Sequence, residues 1–200
     1  MTRRLAVVFV AAAAACALPS SAEAKARCKV KGSETVASTS LVRLYTRPDR
    51  EGGVELRGCW RATGRKLLLA YEYDDGYVTS ISYRDLRLNG RFVAFVSEAT
   101  DVSCKAMCPP DYNPTRTSME VTDLRSRRSR AVSTSPSLGS LKVSRAGVAA
   151  WQEGSELLVL DGAGSGRVVD AGAIEDVGLR GLRLGWKNAG VPKGIDLQRF

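Results

Sequence analysis

From residue 41 onward, apolar and polar positions alternate in short runs instead of recurring every three or four residues. That pattern predicts strands, and almost nothing has the period of an amphipathic helix outside the opening segment Met1 to Ala24. Leu41-Val42-Arg43-Leu44-Tyr45, Val54-Glu55-Leu56-Arg57-Gly58-Cys59-Trp60 and Lys66-Leu67-Leu68-Leu69-Ala70-Tyr71 are the early strands. Turn formers bound each of them: Pro48-Asp49-Arg50-Glu51-Gly52-Gly53 separates the first pair and Thr63-Gly64-Arg65 the second.

The second half repeats this grammar. One unit runs Leu86-Arg87-Leu88-Asn89-Gly90-Arg91-Phe92-Val93-Ala94-Phe95-Val96 and resumes at Ser118-Met119-Glu120-Val121-Thr122-Asp123. The next runs from Leu141 through Gly147 to Trp151, then from Ser155 to Asp161, and a third begins at Leu179 and reaches Trp186. In each, a strand enters a glycine-containing turn and a second strand carries a large aromatic: Phe95, Trp151 or Trp186. Asp123 recurs as Asp161, and Trp151 as Trp186, at similar intervals. Repeat periods of roughly 20–50 residues belong to architectures whose units bury their apolar faces against neighbours.

The stretch Asn89-Gly90-Arg91-Phe92-Val93-Ala94-Phe95, followed by a strand ending in Asp123, resembles the blade repeat of bacterial β-propellers of the TolB type. The resemblance implies that the turn glycine lies between the first two strands, that the aromatic closes the second and that the aspartate ends the third. It covers about half of the chain beyond residue 24. The length supplies about four blades of roughly 40 residues, the lower end for a closed ring. The expected fold is therefore all-β and β-propeller-like, closed, open or partial, with a β-sandwich as the alternative.

The chain starts Met1-Thr2-Arg3-Arg4, continues with an apolar run from Leu5 to Leu18, and reaches the small-residue triplet Ala22-Glu23-Ala24. This is the layout of a cleavable secretory signal over residues 1–24. The run falls short of the ~20 residues of a membrane span, and no later segment comes closer, so no transmembrane segment is expected after cleavage. A lipoprotein signal ending at Cys16 is the lesser alternative, because Ala13 stands where such signals prefer Leu. Cleavage removes Arg3, Arg4 and Glu23, so the formal net charge of +9 becomes +8. Residues 25–200 suffice for one domain, and the positive balance favours anionic partners.

Four cysteines remain, Cys28, Cys59, Cys104 and Cys108, and export carries them to an oxidising compartment where two disulfides are expected. Three connectivities are open, and the spacing favours Cys28 with Cys59 and Cys104 with Cys108. A metal site is not expected, since the chain holds no histidine to complete a set of soft or imidazole ligands.

The missing histidine also removes the Ser-His-Asp and Cys-His arrangements and every His general base. No Ser is followed three residues later by Lys, so a Ser-x-x-Lys nucleophile is missing as well. Carboxylate chemistry is what remains, with Asp74, Asp75, Asp85, Asp101 and Asp111 as candidates. Gly162-Ala163-Gly164-Ser165-Gly166 reads as a hairpin turn and not a phosphate loop, because Arg167-Val168-Val169-Asp170 continues as a strand. Trp60, Trp151 and Trp186 read as packing aromatics.

Two features point to binding. Arg125-Ser126-Arg127-Arg128-Ser129-Arg130 is a dense basic cluster between strands, and Arg125, Arg127, Arg128 and Arg130 are candidate anion ligands. It carries no interleaved aromatics for base stacking, so nucleic acid is not the expected partner. The insertion 97–117, with Asp101, Cys104, Cys108, Asp111, Tyr112 and Asn113, is a candidate recognition loop whose acidic spacing fits no EF-hand. The function expected is a secreted, cofactor-free, non-enzymatic protein whose loops bind a protein or an anionic envelope polymer. A carboxylate-dependent hydrolase of extracellular or cell-wall glycans is the alternative.

Overall fold

The computed structural model describes residues 27–74, 79–101 and 114–200. The predicted signal segment, Cys16, Asp75, Cys104, Cys108, Asp111, Tyr112 and Asn113 lie outside the described residues. Among the described residues, fifteen strands form three sheets, within each of which sequence neighbours pair antiparallel. The first meander comprises β1 (Glu34–Ser38), β2 (Val42–Pro48), β3 (Val54–Trp60) and β4 (Arg65–Asp74). The second comprises β5 (Thr79–Asn89), β6 (Phe92–Asp101), β7 (Thr115–Asp123) and β8 (Arg128–Ser133). The third holds β9 (Leu138–Val143), β10 (Ala149–Glu153), β11 (Glu156–Leu160) and β12 (Arg167–Ala171), and the last β13 (Ile174–Arg180), β14 (Arg183–Asn188) and β15 (Val191–Asp196).

The first two meanders form one eight-stranded sheet, yet among the described residues β4 and β5 pair only at Tyr73↔Ile81 and Asp74↔Ser80. That slender junction lets the halves fold face to face. Val42 and Leu44 of β2 pack with Val93 and Phe95 of β6 between them. The opposite side of β6 presents Phe92, Ala94 and Val96 to Leu141, Ala149 and Trp151 of the third meander. The third meander's other face sets Val148, Ala150, Leu157 and Val159 against Leu184 and Trp186 of the fourth. Strand alternation thus gives both inner meanders two buried faces, as the period-2 side-chain rule requires. Phe95, Trp151 and Trp186 each face the preceding meander.

Among the described residues, none of the three sheets closes on itself. Among the described residues, no apolar cluster contains side chains from both the first and the fourth meander. The chain is therefore all-β, a sequence of stacked antiparallel meanders. Trp151 is fully buried, Trp186 is nearly so and Trp60 packs beside Val42 and Leu44, in line with their reading as core aromatics.

Strands β1 and β15 were not apparent as apolar runs. Each is an edge with mostly exposed side chains, so little burial is written into its sequence. The stretch expected as an insertion from Ser97 to Thr117 begins and ends as paired strand, with Ser97↔Ser118, Glu98↔Thr117 and Thr100↔Thr115 in register. Its polar side chains hold that pairing directly: the Ser97 and Ser118 hydroxyls are 2.8 Å apart and those of Thr100 and Thr115 3.1 Å.

Cys28 and Cys59 form a disulfide with Cα atoms 5.8 Å apart, as the spacing favoured. It fastens the segment before β1 over the outer face of the first meander, where Tyr45 is buried with both cysteines. Arg43 completes the cover, its guanidinium 4.9 Å from the Tyr45 ring centroid and its Nη1 donating to the Cys28 carbonyl at 2.8 Å. Among the described residues, no helix is long and apolar enough to cross a membrane.

Candidate anion-binding end

Hairpin turns from three meanders meet at one end of the stack. Between β5 and β6, Asn89 pairs with Phe92 across the tight turn Gly90-Arg91, where Gly90 adopts the positive φ of 63° that such a turn needs. The Thr39 hydroxyl of the β1–β2 turn donates to the Gly90 carbonyl at 3.1 Å. From the same turn, Asn89 Nδ2 donates to the Val143 carbonyl at 3.0 Å, tying in the β9–β10 turn. The amide of Leu124, which opens the β7–β8 turn, donates to the Arg91 carbonyl at 3.1 Å.

The C-terminal tail from Leu197 to Phe200 laces these turns together. Leu197 is buried beside Leu184 and donates its amide to the Leu182 carbonyl. The Gln198 amide donates to Asp161 Oδ2 at 3.1 Å, and the Phe200 amide to the Ala146 carbonyl at 3.2 Å. Gly162 is needed for this passage, because a β-carbon there would lie 1.9 Å from the Arg199 carbonyl oxygen. The run Gly162–Gly166 joins β11 to β12. Its glycines are thus a turn that admits the tail.

Asp123 and Asp161 occupy matching places, at and just beyond the ends of the third strands of consecutive meanders. Each carboxylate caps its turn by accepting the amide two residues on, from Arg125 and Ala163 respectively, both at 2.9 Å. Burial works against the charge of Asp161, but the amides of Ala163 and Gln198 and the Arg167 guanidinium outweigh it and hold its carboxyl below the usual range. Asp123 is also buried and pairs through Oδ2 with Arg91 Nη2 at 3.2 Å.

The predicted basic cluster forms the β7–β8 turn and the start of β8, and the structure divides it. Arg125, Arg127 and Arg128 are exposed, with no carboxylate within ion-pair distance among the described residues. Arg130 turns inward instead, donating through Nη1 to the Asp161 carbonyl at 2.5 Å with its guanidinium 4.8 Å from the Phe200 ring centroid. Leu124 roots the turn, buried so closely beneath Gly58 that a β-carbon on Gly58 would meet it at 2.4 Å.

Two cavities open at this end and share Arg91 as a wall. One, of about 430 Å³, lies among the β1–β2, β5–β6 and β9–β10 turns and is lined by Arg91, Arg145 and Arg199 with Thr39, Leu41 and Phe92. The other, of about 390 Å³, lies beside the β7–β8 turn and is lined by Arg91, Arg128 and Arg130 with Asp123 and Phe200. Among the described residues, five arginines therefore face the two cavities and Asp123 supplies the one acidic side chain in their lining. Concave surfaces of one sign focus field and draw counter-ions. Arg91, Arg145 and Arg199 escaped the sequence reading because they come from separate segments and no local run marks them.

A third cavity, of about 700 Å³, lies on the outer side of the first meander and has a different balance. Its lining sets Asp49, Glu51 and Glu55 against Arg47 and Arg50, and Arg57 and Arg47 clasp Glu55 and bring its pKa down to about 2. Tyr71 donates its hydroxyl to Asp49, which raises the phenol to about 12. Such a lining, with acids in excess, suits an anion poorly.

Of the candidate catalytic carboxylates, the β4–β5–β6 register sets Asp74 and Asp101 at one end of the sheet, two strands apart, and Asp85 away from them. Asp85 sits at a bulge in β5 and pairs with Arg84 at 2.5 Å, and Asp74 and Asp101 end β4 and β6. Among the described residues, no group of three or more acidic or cysteine side chains could hold a metal ion. No protein-family model, curated protein or solved structure matches the chain.

Proposed function

We propose that this chain is an exported, non-enzymatic binding protein that holds an anionic polymer of the cell envelope against the arginines of its hairpin end. The observation that carries the reading is the charge imbalance among the described residues there: five arginines around two adjoining cavities with one acidic side chain among them, and two further exposed cations, Arg125 and Arg127, on the turn above. Export rests on the signal-like segment Met1 to Ala24 together with the Cys28–Cys59 disulfide, which suits an oxidising compartment. A propeller-like stack of the TolB type, open between its first and last meanders, accounts for the four successive meanders, the aromatic on each second strand and the matched Asp123 and Asp161 caps. In that architecture the turns of successive units converge on one face, which is where these arginines lie.

The hydrolase alternative requires a proton-donating acid beside an ionised one. Burial raises the pKa of Glu120, but its hydrogen-bond partner is the Ser97 hydroxyl at 3.0 Å and not a second acid. Binding is therefore the better supported reading.

The test is retention of the processed protein on an anionic polymer matrix under a salt gradient. Replacing Arg125, Arg127 and Arg128 by Ser, with Arg130 left in its structural role, moves elution to lower salt, because fewer contacts release fewer counter-ions. An unchanged elution position overturns the reading.

A further inference from the structure

We infer that the cavity among the β1–β2, β5–β6 and β9–β10 turns binds a phosphate monoester, with Arg91, Arg145 and Arg199 holding the phosphate and the apolar wall its substituent. The inference rests on the reading of this end as an anion-binding surface and names the group it selects.

Arg91 is the centre of the argument. Its guanidinium lies 4.8 Å from the Phe92 ring centroid, so one face is covered and the donors point outward from the edge. Asp123 takes Nη2 at 3.2 Å. The Nε atom is buried and has no hydrogen-bond partner. A buried donor left unpaired carries a desolvation penalty, which an acceptor that reaches it recovers as binding energy. A guanidinium fixed in this way is suited to an oxyanion, which takes parallel N–H bonds from its edge.

Two more cations converge on the same space. The Arg145 stem passes 3.6 Å from where a β-carbon on Gly90 would sit, which sets it beside the Gly90-Arg91 turn, and Arg199 arrives on the tail. Neither has a carboxylate within ion-pair distance among the described residues. Three guanidinium groups and no acid in the lining favour a dianion over a single carboxylate. The volume of about 430 Å³ is in the range of small-ligand pockets, and Leu41, Phe92 and Ala146 make part of its wall apolar. A phosphate carrying an apolar or aromatic substituent fits both halves.

The experiment is calorimetric titration of the processed protein with phenyl phosphate, inorganic phosphate and benzoate. Phenyl phosphate is expected to bind saturably and at least tenfold tighter than either comparison compound. Equal binding of all three, or none, overturns the inference. Arg145 and Arg199 are exposed, so R145Q/R199Q should fold normally and lose at least tenfold in phenyl phosphate affinity, whereas R125S/R127S/R128S should keep it. Undiminished binding by R145Q/R199Q sinks the site. R91K keeps a positive charge but lacks Nε and the planar group that covers Phe92, and is expected to weaken phenyl phosphate binding. Should the rim variant lose polymer retention while R145Q/R199Q binds phenyl phosphate like the parent, the pocket assignment fails and the polymer reading survives. If polymer retention is indifferent to the rim, the broader reading fails first.

Discussion

Phe200 stands edge-on to Phe92, their ring centroids 5.7 Å apart and their planes inclined by 71°. Arg91 covers Phe92 and Arg130 covers Phe200, each guanidinium 4.8 Å from its ring. The result is a ladder of two arginines and two aromatics joining the β5–β6 turn, β8 and the tail. It positions the cavities on either side of Arg91.

Gly147 is the tight point of that ladder. It adopts φ of 83°, and a β-carbon there would come within 2.5 Å of Phe92 and 2.6 Å of Phe200. Gly147→Ala combines backbone strain with overpacking, and is expected to cost about 1–3 kcal/mol. A chemical denaturation midpoint unchanged from the parent would contradict the packing described.

The Cys28–Cys59 bridge closes a loop with a sequence separation of 31 residues. In the chain-entropy account, a loop of this size is worth about 3–4 kcal/mol through the unfolded state. Replacing both cysteines by Ala should lower the denaturation midpoint accordingly and free the segment before β1 to proteolysis. Equal protease resistance in both forms would show that the segment is held by Arg43 and Tyr45 alone.

Glu120 faces the gap between the first two meanders from β7, opposite Phe95, and burial raises its pKa in the folded state. A carboxyl whose folded pKa lies above its unfolded value disfavours folding once ionised. The penalty is absent below the unfolded value, grows as pH rises toward the folded pKa, and is full above it. Glu120→Gln should therefore stabilise the protein at neutral pH and leave it unchanged in acid. Measuring the melting temperature of both proteins from acid to neutral pH decides this, and a constant difference across the range would rule out the ionisation as its cause.

The sequence by itself determined the all-β class, the strands with a buried face, the glycine turns, and Cys59 as the favoured partner of Cys28. These depend on local alternation, local backbone preference and spacing, which residues within a short stretch of chain can carry. The edge strands β1 and β15 left little trace because they bury little. Tertiary structure alone decided the candidate site: it set Arg130 apart from its neighbours as a strut, and brought Arg91, Arg145 and Arg199 to one cavity from two hairpins of different meanders and the C-terminal tail. Face-to-face stacking of meanders lines up their turns in space while keeping them a whole meander apart in sequence. Such a convergence has no local signature to read.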